Sequence, residues 1–181
     1  MEKIDIQKQI ALNVKEIMAL LDIEINDSNR ETPKRIAKML DEEIFANRSD
    51  SKGTLMDIIR QMTTFTNPQH GGAQPIEIKD IPFSSTCEHH WMPFMGKCSI
   101  MYVPDKKILG LSKFPRVVKF FSKKPQVQER LTQEILDFLQ TVLEPKELVV
   151  RLYDVKHTCV SVRGIEAECS TDTIATFRRD K

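Results

Sequence analysis

Two short clusters of cysteine and histidine, far apart along the chain, constrain its fold more than any other feature. Cys87-Glu88-His89-His90 places a thiol and two imidazoles within one turn, and His157-Thr158-Cys159 supplies another thiol and imidazole. Catalytic zinc sites use three Cys, His or carboxylate ligands and leave the fourth position for water. Two cysteines and three histidines exceed that need. The pattern therefore predicts a catalytic metal, with histidines left over for proton transfer.

Composition narrows the class of protein. The chain has 181 residues, 40% of them hydrophobic and 29% charged, which fits a globular domain with a real core. Its net charge of +1 argues against a general nucleic-acid binder. No apolar run suggests a membrane span, and the N-terminal residues do not resemble a signal peptide. Four scattered cysteines do not suggest a disulfide scaffold. We expect a cytoplasmic protein that binds neither membranes nor nucleic acid.

The N-terminal part is predicted to be helical. Apolar residues at steps of three and four indicate an amphipathic helix over 5–21, and a second helix should start at Thr32-Pro33 with Thr32 as its cap. Residues 46–54 are polar and read as a linker, followed by a possible short helix at 55–62. We therefore expect an N-terminal helical extension at 1–50 and a catalytic domain at 51–181.

The catalytic domain is predicted to be an α+β layer. Strands are expected at 75–85, 97–103, 148–155 and 157–163, with a Thr-rich strand near 170–177. Between them, Ser112 should cap a helix running to about Phe121, and Pro125 should open a longer helix. The order ββααββ favours an antiparallel sheet with helices on one face.

The metal ligands follow from local spacing. Cys87 and His90 are three residues apart and can converge on one ion, so His89 must point elsewhere and can face substrate. If 157–163 is a strand, period two places His157, Cys159 and Arg163 on one face. Cys159 would then complete the site.

Two simpler interpretations remain open. One is a closed, purely structural zinc site that adds a fourth ligand from another histidine, although no C-x-x-C pair is present. The other makes Cys159 a buried strand cysteine, which His157 and Arg163 on the same face argue against. Cys98 and Cys169 are assigned to packing, and His70 to a solvated loop.

Several basic residues suggest anion binding. Ser112, Lys113 and Arg116 lie where a helix begins, and free backbone N–H groups there favour phosphate. Arg35 lies in a first helical turn, where the dipole disfavours a cation unless an anion is near. Glu129 could simply be an acid at a helix start, but a carboxylate also matches the two adjacent donors of guanine.

At several independent motifs the chain closely resembles the GTP cyclohydrolase I family. The matching segments are Glu31–Met39, Ser85–His90, Gly110–Lys113 with Arg116, Lys124–Gln133, and His157-x-Cys159 with Arg163-Gly164. The similarity as a whole extends over roughly residues 5 to 177. The resemblance implies the tunnelling fold, whose subunits join their sheets into barrels and assemble into a toroidal oligomer, typically a homodecamer. It also implies active sites that lie between subunits.

The resemblance further implies the reaction and the residue roles. GTP and water would give formate and 7,8-dihydroneopterin triphosphate, with zinc-activated water opening the imidazole ring at C8. This product can lead to tetrahydrofolate, other pterins or 7-deazaguanine compounds. By matched motif, the zinc ligands would be Cys87, His90 and Cys159, and the proton-transfer residues His89 and His157. The GTP contacts would be Arg35, Ser112, Lys113, Arg116, Gln128, Glu129 and Arg163.

Two alternatives remain beside this assignment. The chain could be another zinc hydrolase or deaminase acting on a purine, although it lacks the P-C-x-x-C signature of nucleobase deaminases. It could also be a non-catalytic assembly protein held together by zinc.

Overall fold

The computed structural model describes residues 5–47, 57–67 and 74–180. The chain separates into two compact units, Met1–Ala46 and Asn47–Lys181. The predicted boundary at residue 50, the Gly-rich segment and His70 lie outside the described residues. Within the described ranges, no helix combines the length and apolar character needed to cross a bilayer.

The N-terminal unit is a small helical body. Helix α1 spans Ile6–Leu20, and the side chain of Asp5 caps it by accepting from the Lys8 N–H at 3.1 Å. Helix α2 spans Thr32–Lys38 and continues as a π-helical segment, Met39–Ile44. Our prediction of Thr32 as the cap was off by one residue. Glu31 is the cap and already has α-helical dihedral angles, so Thr32 is the first helical residue.

The larger unit is built on a five-stranded sheet with the order β5-β2-β3-β6-β7. A separate pair of short strands, β1 and β4, and a helical stretch at 57–60 accompany it. The strands are β1 Thr64–Thr66, β2 Ile76–Cys87, β3 Pro93–Val103, β4 Lys107–Leu109, β5 Pro125–Gln126, β6 Glu147–His157 and β7 Thr171–Arg178. All neighbouring pairs in the large sheet are antiparallel except β2 with β5. The predicted α+β class with an antiparallel-rich sheet is confirmed.

Two helices provide the other half of the core. Helix α3 spans Lys113–Ser122 and packs on β2, and helix α4 spans Gln128–Leu143 and packs on β6 and β7. Alternate residues of the central strands face these helices, so residues such as Phe94, Ile100 and Leu152 are fully buried. The helical residues Leu131 and Ile135 are equally buried, because the period of 3.6 turns them to the sheet.

A bulge crosses the sheet near its middle. The pairing register shifts between Ile78 and Ile81 on β2, between Met95 and Lys97 on β3, and between Leu152 and Val155 on β6. Gly96 lies at this point, and a Cβ added there would lie 2.9 Å from the Tyr153 carbonyl oxygen and from the Val155 Cα. The close approach of β3 to β6 therefore requires glycine.

Two predicted elements were wrong. Helix α4 does not begin at Pro125, because Pro125–Gln126 forms a short parallel strand against Thr86 and Cys87, and Val127 remains extended. Residues 157–163 do not form a strand. Instead β6 ends at His157, and Thr158–Ser161 forms a single helical turn, α5. The Thr158 hydroxyl donates to the Pro93 carbonyl oxygen at 2.6 Å, which holds this turn against β3.

Candidate active site

Three potential metal ligands come together at one end of the sheet. The Sγ atoms of Cys87 and Cys159 and a ring nitrogen of His90 all lie within 4.8 Å of one another. Cys87 ends β2, His90 lies in the turn that follows, and Cys159 comes from α5. Tetrahedral zinc with bonds of 2.0–2.3 Å would hold such atoms about 3.5–3.8 Å apart, so the ligands need move by only about an ångström. The three residues therefore fit a zinc ion.

The electrostatics of the cysteine pair also fit a cation. Burial raises the pKa of the Cys159 thiol above its ordinary value, and the neighbouring Cys87 raises it further. Arg163 acts in the opposite direction, which places its positive charge near this thiol. Two adjacent thiolates repel each other, whereas a divalent ion between them stabilises both. The donor set is therefore one that a metal completes.

The turn that joins Cys87 to His90 is held by backbone hydrogen bonds and by a contact with α4. Backbone bonds close it, from Trp91 N–H to the Cys87 carbonyl at 2.9 Å and from Cys87 N–H to the Met92 carbonyl at 2.8 Å. The Glu88 carboxylate accepts from the Arg130 guanidinium at 2.5 Å, and this bond lowers the pKa of Glu88. Because Arg130 lies in α4, the turn and the start of that helix are fixed relative to each other.

His89 lies beside the ligand cluster, with its ring turned edge-on relative to that of His90. The two rings are 6.4 Å apart at an angle of 63°. The Nδ1 atom of His89 is 3.7 Å from the Cys87 sulfur, and the residue is exposed. His89 can therefore exchange protons with solvent or with a bound molecule.

His157 is placed by contacts on two sides. Its ring stacks on Phe94 with centroids 4.8 Å apart and an interplanar angle of 7°. Its Nε2 lies 2.9 Å from Oε1 of Gln128. Burial lowers the pKa of His157 below its ordinary value, partly offset by the negative charge of Glu129. This shift favours the neutral imidazole, which is the form that accepts a proton.

Gln128 and Glu129 begin helix α4 at the same site. Gln128 is 4% exposed, and its side-chain amide is bonded to His157 and to β7. Its predicted contact with guanine stays a prediction, and the structure adds a second role for its side chain. Glu129 follows it in the first turn, where the helix N-terminus stabilises a carboxylate.

These residues line one cavity of about 390 Å³. Its described lining residues are Cys87, His89, His90, Gln126, Val127, Gln128, Glu129, His157, Cys159, Thr171, Asp172 and Thr173. The sequence analysis had no role for Gln126 or for the β7 residues Thr171, Asp172 and Thr173. The Thr-rich strand was predicted, and period two already placed Thr171 and Thr173 on one face. What was missing was the knowledge that this face meets the start of α4.

The comparisons with known proteins agree with this geometry. The sequence model of the family described as GTP cyclohydrolase I matches residues 10–180. The chain belongs to the GTP cyclohydrolase I family. Among its relatives, the GTP cyclohydrolase 1 of Shewanella sp. (strain ANA-3) is 42% identical over 169 residues, covering 92% of this chain and 74% of that protein. The protein of the same name from Shewanella loihica is 40% identical over 168 residues, covering 92% and 75%.

The comparison with solved structures also found a similarity over part of the chain. It is that of the archaeosine synthase QueF-Like in the apo form, with a TM-score of 0.47 and 15% sequence identity. The match covers 58% of this chain and 94% of that chain.

Three of the predicted GTP contacts do not line the cavity. Ser112, Lys113 and Arg116 are at the N-terminal end of α3, and none is among the described residues that line the cavity. It is the other end of α3 that lies near the cavity, because the Phe121 carbonyl accepts from the Gln126 side chain at 3.1 Å. At about 1.5 Å per residue, the eight steps from Lys113 to Phe121 span about 12 Å.

The predicted GTP contacts outside the cavity lining have different surroundings. Arg116 donates to the Gln61 side chain at 3.0 Å. Ser112 is the N-cap residue of α3, as predicted, but its side chain makes no capping hydrogen bond. Arg163 lies just after α5, near Cys159. Arg35 belongs to α2, in the separate N-terminal unit.

Proposed function

We propose that this protein is a zinc-dependent GTP cyclohydrolase I, which converts GTP and water into formate and 7,8-dihydroneopterin triphosphate. One observation carries the proposal. The Cys87, His90 and Cys159 cluster shares a cavity with the half-buried His157 and with the Glu129 carboxylate at a helix start. Hydrolytic opening of a purine ring needs an activated water, a proton carrier and a group that recognises the base. Membership of the family supports the same assignment.

Zinc, when bound by Cys87, His90 and Cys159, supplies a water whose pKa is lowered to about 7. The chain's own residues do the rest. Glu129 accepts the N1–H and 2-amino hydrogens of guanine, which turns the five-membered ring of the base toward the ligand cluster. His157 accepts a proton at its ring nitrogen and returns it as the ring opens, and exposed His89 exchanges protons at the cavity mouth.

The triphosphate is held by contacts that do not react. Arg163, near Cys159, is one candidate, and Ser112, Lys113, Arg116 and Arg35 are the others. Because Ser112 and Lys113 lie at the far end of α3 from the cavity, we assign their role to the cavity of a neighbouring copy. This supports active sites between subunits of a homo-oligomer, for which the toroidal decamer is the proposed form. GTP is then bound by residues of more than one chain.

The decisive experiment is incubation with GTP in the presence and absence of a chelator. We expect a pterin chromophore and one equivalent of formate per GTP, and neither product once the metal is removed. Cys159→Ser should lose both zinc and turnover, whereas Cys169→Ser, which changes an exposed cysteine, should keep both. Ammonia release in place of formate would show a deaminase and would overturn the proposal.

A further inference from the structure

The strand β7 contacts the proposed proton carrier through Gln128. The Gln128 side-chain nitrogen donates to the Thr171 carbonyl oxygen at 3.3 Å and to the Thr173 hydroxyl at 3.2 Å. Its oxygen accepts from the Thr171 hydroxyl at 2.6 Å and lies 2.9 Å from Nε2 of His157. All four hydrogen-bonding positions of this amide are therefore taken within the chain.

These partners permit one orientation of the amide. The Thr171 carbonyl can only accept, so it must face the amide nitrogen of Gln128. Rotating the amide by 180° would set its oxygen against that carbonyl oxygen, and two acceptors repel each other. The amide oxygen therefore faces His157, and an amide oxygen cannot donate.

The Thr132 hydroxyl supports the same orientation of the Gln128 amide. The Thr132 hydroxyl donates to the main-chain carbonyl oxygen of Gln128 at 2.8 Å, so the single hydrogen of this hydroxyl is used. In the 2.6 Å contact between Thr132 and Thr173, Thr173 must then be the donor. The Thr173 oxygen is left to accept from the Gln128 amide, which is the direction deduced above. Each hydrogen in this network therefore has one acceptor. Buried hydrogen-bond networks in which every group has a partner are stronger than the separate bonds.

We propose that Thr171 and Thr173 are positioning residues: they hold the Gln128 amide so that the His157 ring keeps a hydrogen on Nε2 and leaves Nδ1 as the proton acceptor. Phe94, stacked on the ring face, prevents the ring from tilting out of this bond. Both threonines line the cavity, but this scheme assigns them no contact with the base or with the metal. They act on the reaction only through His157, so the inference rests on the proposed catalytic role of that residue.

The first test observes the tautomer directly. The chain has four histidines, so zinc-loaded protein labelled with 15N in histidine gives few signals in magic-angle-spinning NMR. Loss of signal in His157→Gln assigns those of His157. We expect a protonated Nε2 and an unprotonated Nδ1 at a pH where the ring is neutral. The opposite pattern in the unmodified protein would overturn the inference, and this result needs no threonine variant to fold.

The second test removes the two hydroxyls while keeping the side-chain shape. Thr171→Val/Thr173→Val keeps the Thr171 main-chain carbonyl but removes both hydroxyl partners of the Gln128 amide, so the amide is held by fewer bonds. We expect the second tautomer to appear beside the first, kcat to fall about tenfold, and the KM for GTP to stay within about twofold. Zinc content should not change. The matched control, Thr171→Ser/Thr173→Ser, keeps both hydroxyls and should retain the tautomer and most of kcat.

Two results of this comparison would overturn the inference. One is a valine variant with the tautomer and kcat of the unmodified protein, and the other is a serine control as slow as the valine variant. Failure of the underlying function looks different. If His157→Ala kept full turnover, the catalytic role of His157 would be rejected whatever tautomer the spectra showed.

Discussion

At the scale of single residues, the three histidines of the cavity are not equivalent. His90 is grouped with two thiols, His89 is exposed, and His157 is half-buried against Phe94 and Gln128. We predict that His157→Ala lowers kcat at least 100-fold, the loss typical of a missing proton-transfer group, while zinc content stays near that of the unmodified protein. Metal analysis and steady-state kinetics check this, and loss of zinc in the variant would contradict the assignment.

The four cysteines should likewise differ in reactivity. Burial raises the pKa of the Cys98 thiol to about 12, so it stays protonated and enclosed at neutral pH. Cys169 is exposed. We predict that iodoacetamide modifies Cys169 first, modifies Cys87 and Cys159 only after chelation, and does not reach Cys98 in the folded protein. Peptide mass spectrometry with and without chelator measures this, and early modification of Cys98 would contradict it.

At the scale of elements, the bulge between β3 and β6 depends on Gly96. A Cβ at this position would meet backbone atoms at 2.9 Å, and backbone cannot move aside as a flexible side chain can. We predict that Gly96→Ala lowers the free energy of unfolding by about 1–3 kcal/mol. Gly110→Ala is the matched control, because the nearest atom to its added Cβ is 3.7 Å away. Urea unfolding of both variants measures this, and equal stability of the two variants would contradict the predicted strain at Gly96.

The pairing of β6 with β7 should depend on pH through Asp172. Its carboxylate accepts from Arg151 at 2.6 Å and from the Asp154 N–H at 3.0 Å, and these bonds lower the pKa of Asp172 below its ordinary 3.8. A lowered folded-state pKa stabilises the fold above pH 3.8, and this contribution is lost as pH falls through the folded value. We predict that Asp172→Asn lowers the urea midpoint at pH 7 and that the difference shrinks toward pH 3. A constant difference would contradict this.

The elements also show how far sequence reasoning reached. Periodicity identified α3, most of α4 and the four longer strands of the sheet, β2, β3, β6 and β7, because alternate burial leaves a clear pattern in the residues. It failed for residues 157–163, where Val160 and Val162 alternate as in a strand, yet the Thr158 contact with Pro93 turns the chain into a helix. A contact between distant segments decided the structure there, and no local pattern records it.

The candidate site was predictable in part for the same reason. Cys87 and His90 are close in sequence, so their convergence could be read directly. That Cys159 joins them was expected from a strand and occurs through a helical turn. Thr171 and Thr173 were missed because their role depends on the position of α4 against β7.

At the scale of the whole molecule, the larger unit has a core that does not depend on metal. Buried apolar residues of β2, β3, β6, α3 and α4 form one cluster. We predict that chelation leaves a folded, inactive protein, whereas a protein held together by zinc would unfold. Circular dichroism and activity before and after chelation test this, with restored turnover on adding zinc as the control. Unfolding on chelation would support the alternative of a structural zinc site.

The two-residue strand β5 has a consequence for selectivity. Gln126 is paired with Cys87, and Glu129 follows Gln126 by three residues, so at most about 10 Å of backbone lies between Glu129 and the strand residue beside the proposed zinc ligand. That interval is set by main-chain geometry and cannot stretch to suit the ligand. On the proposed function, we therefore expect selectivity for a purine, whose two fused rings separate the edge that Glu129 would bind from the carbon nearest the Cys87, His90 and Cys159 cluster.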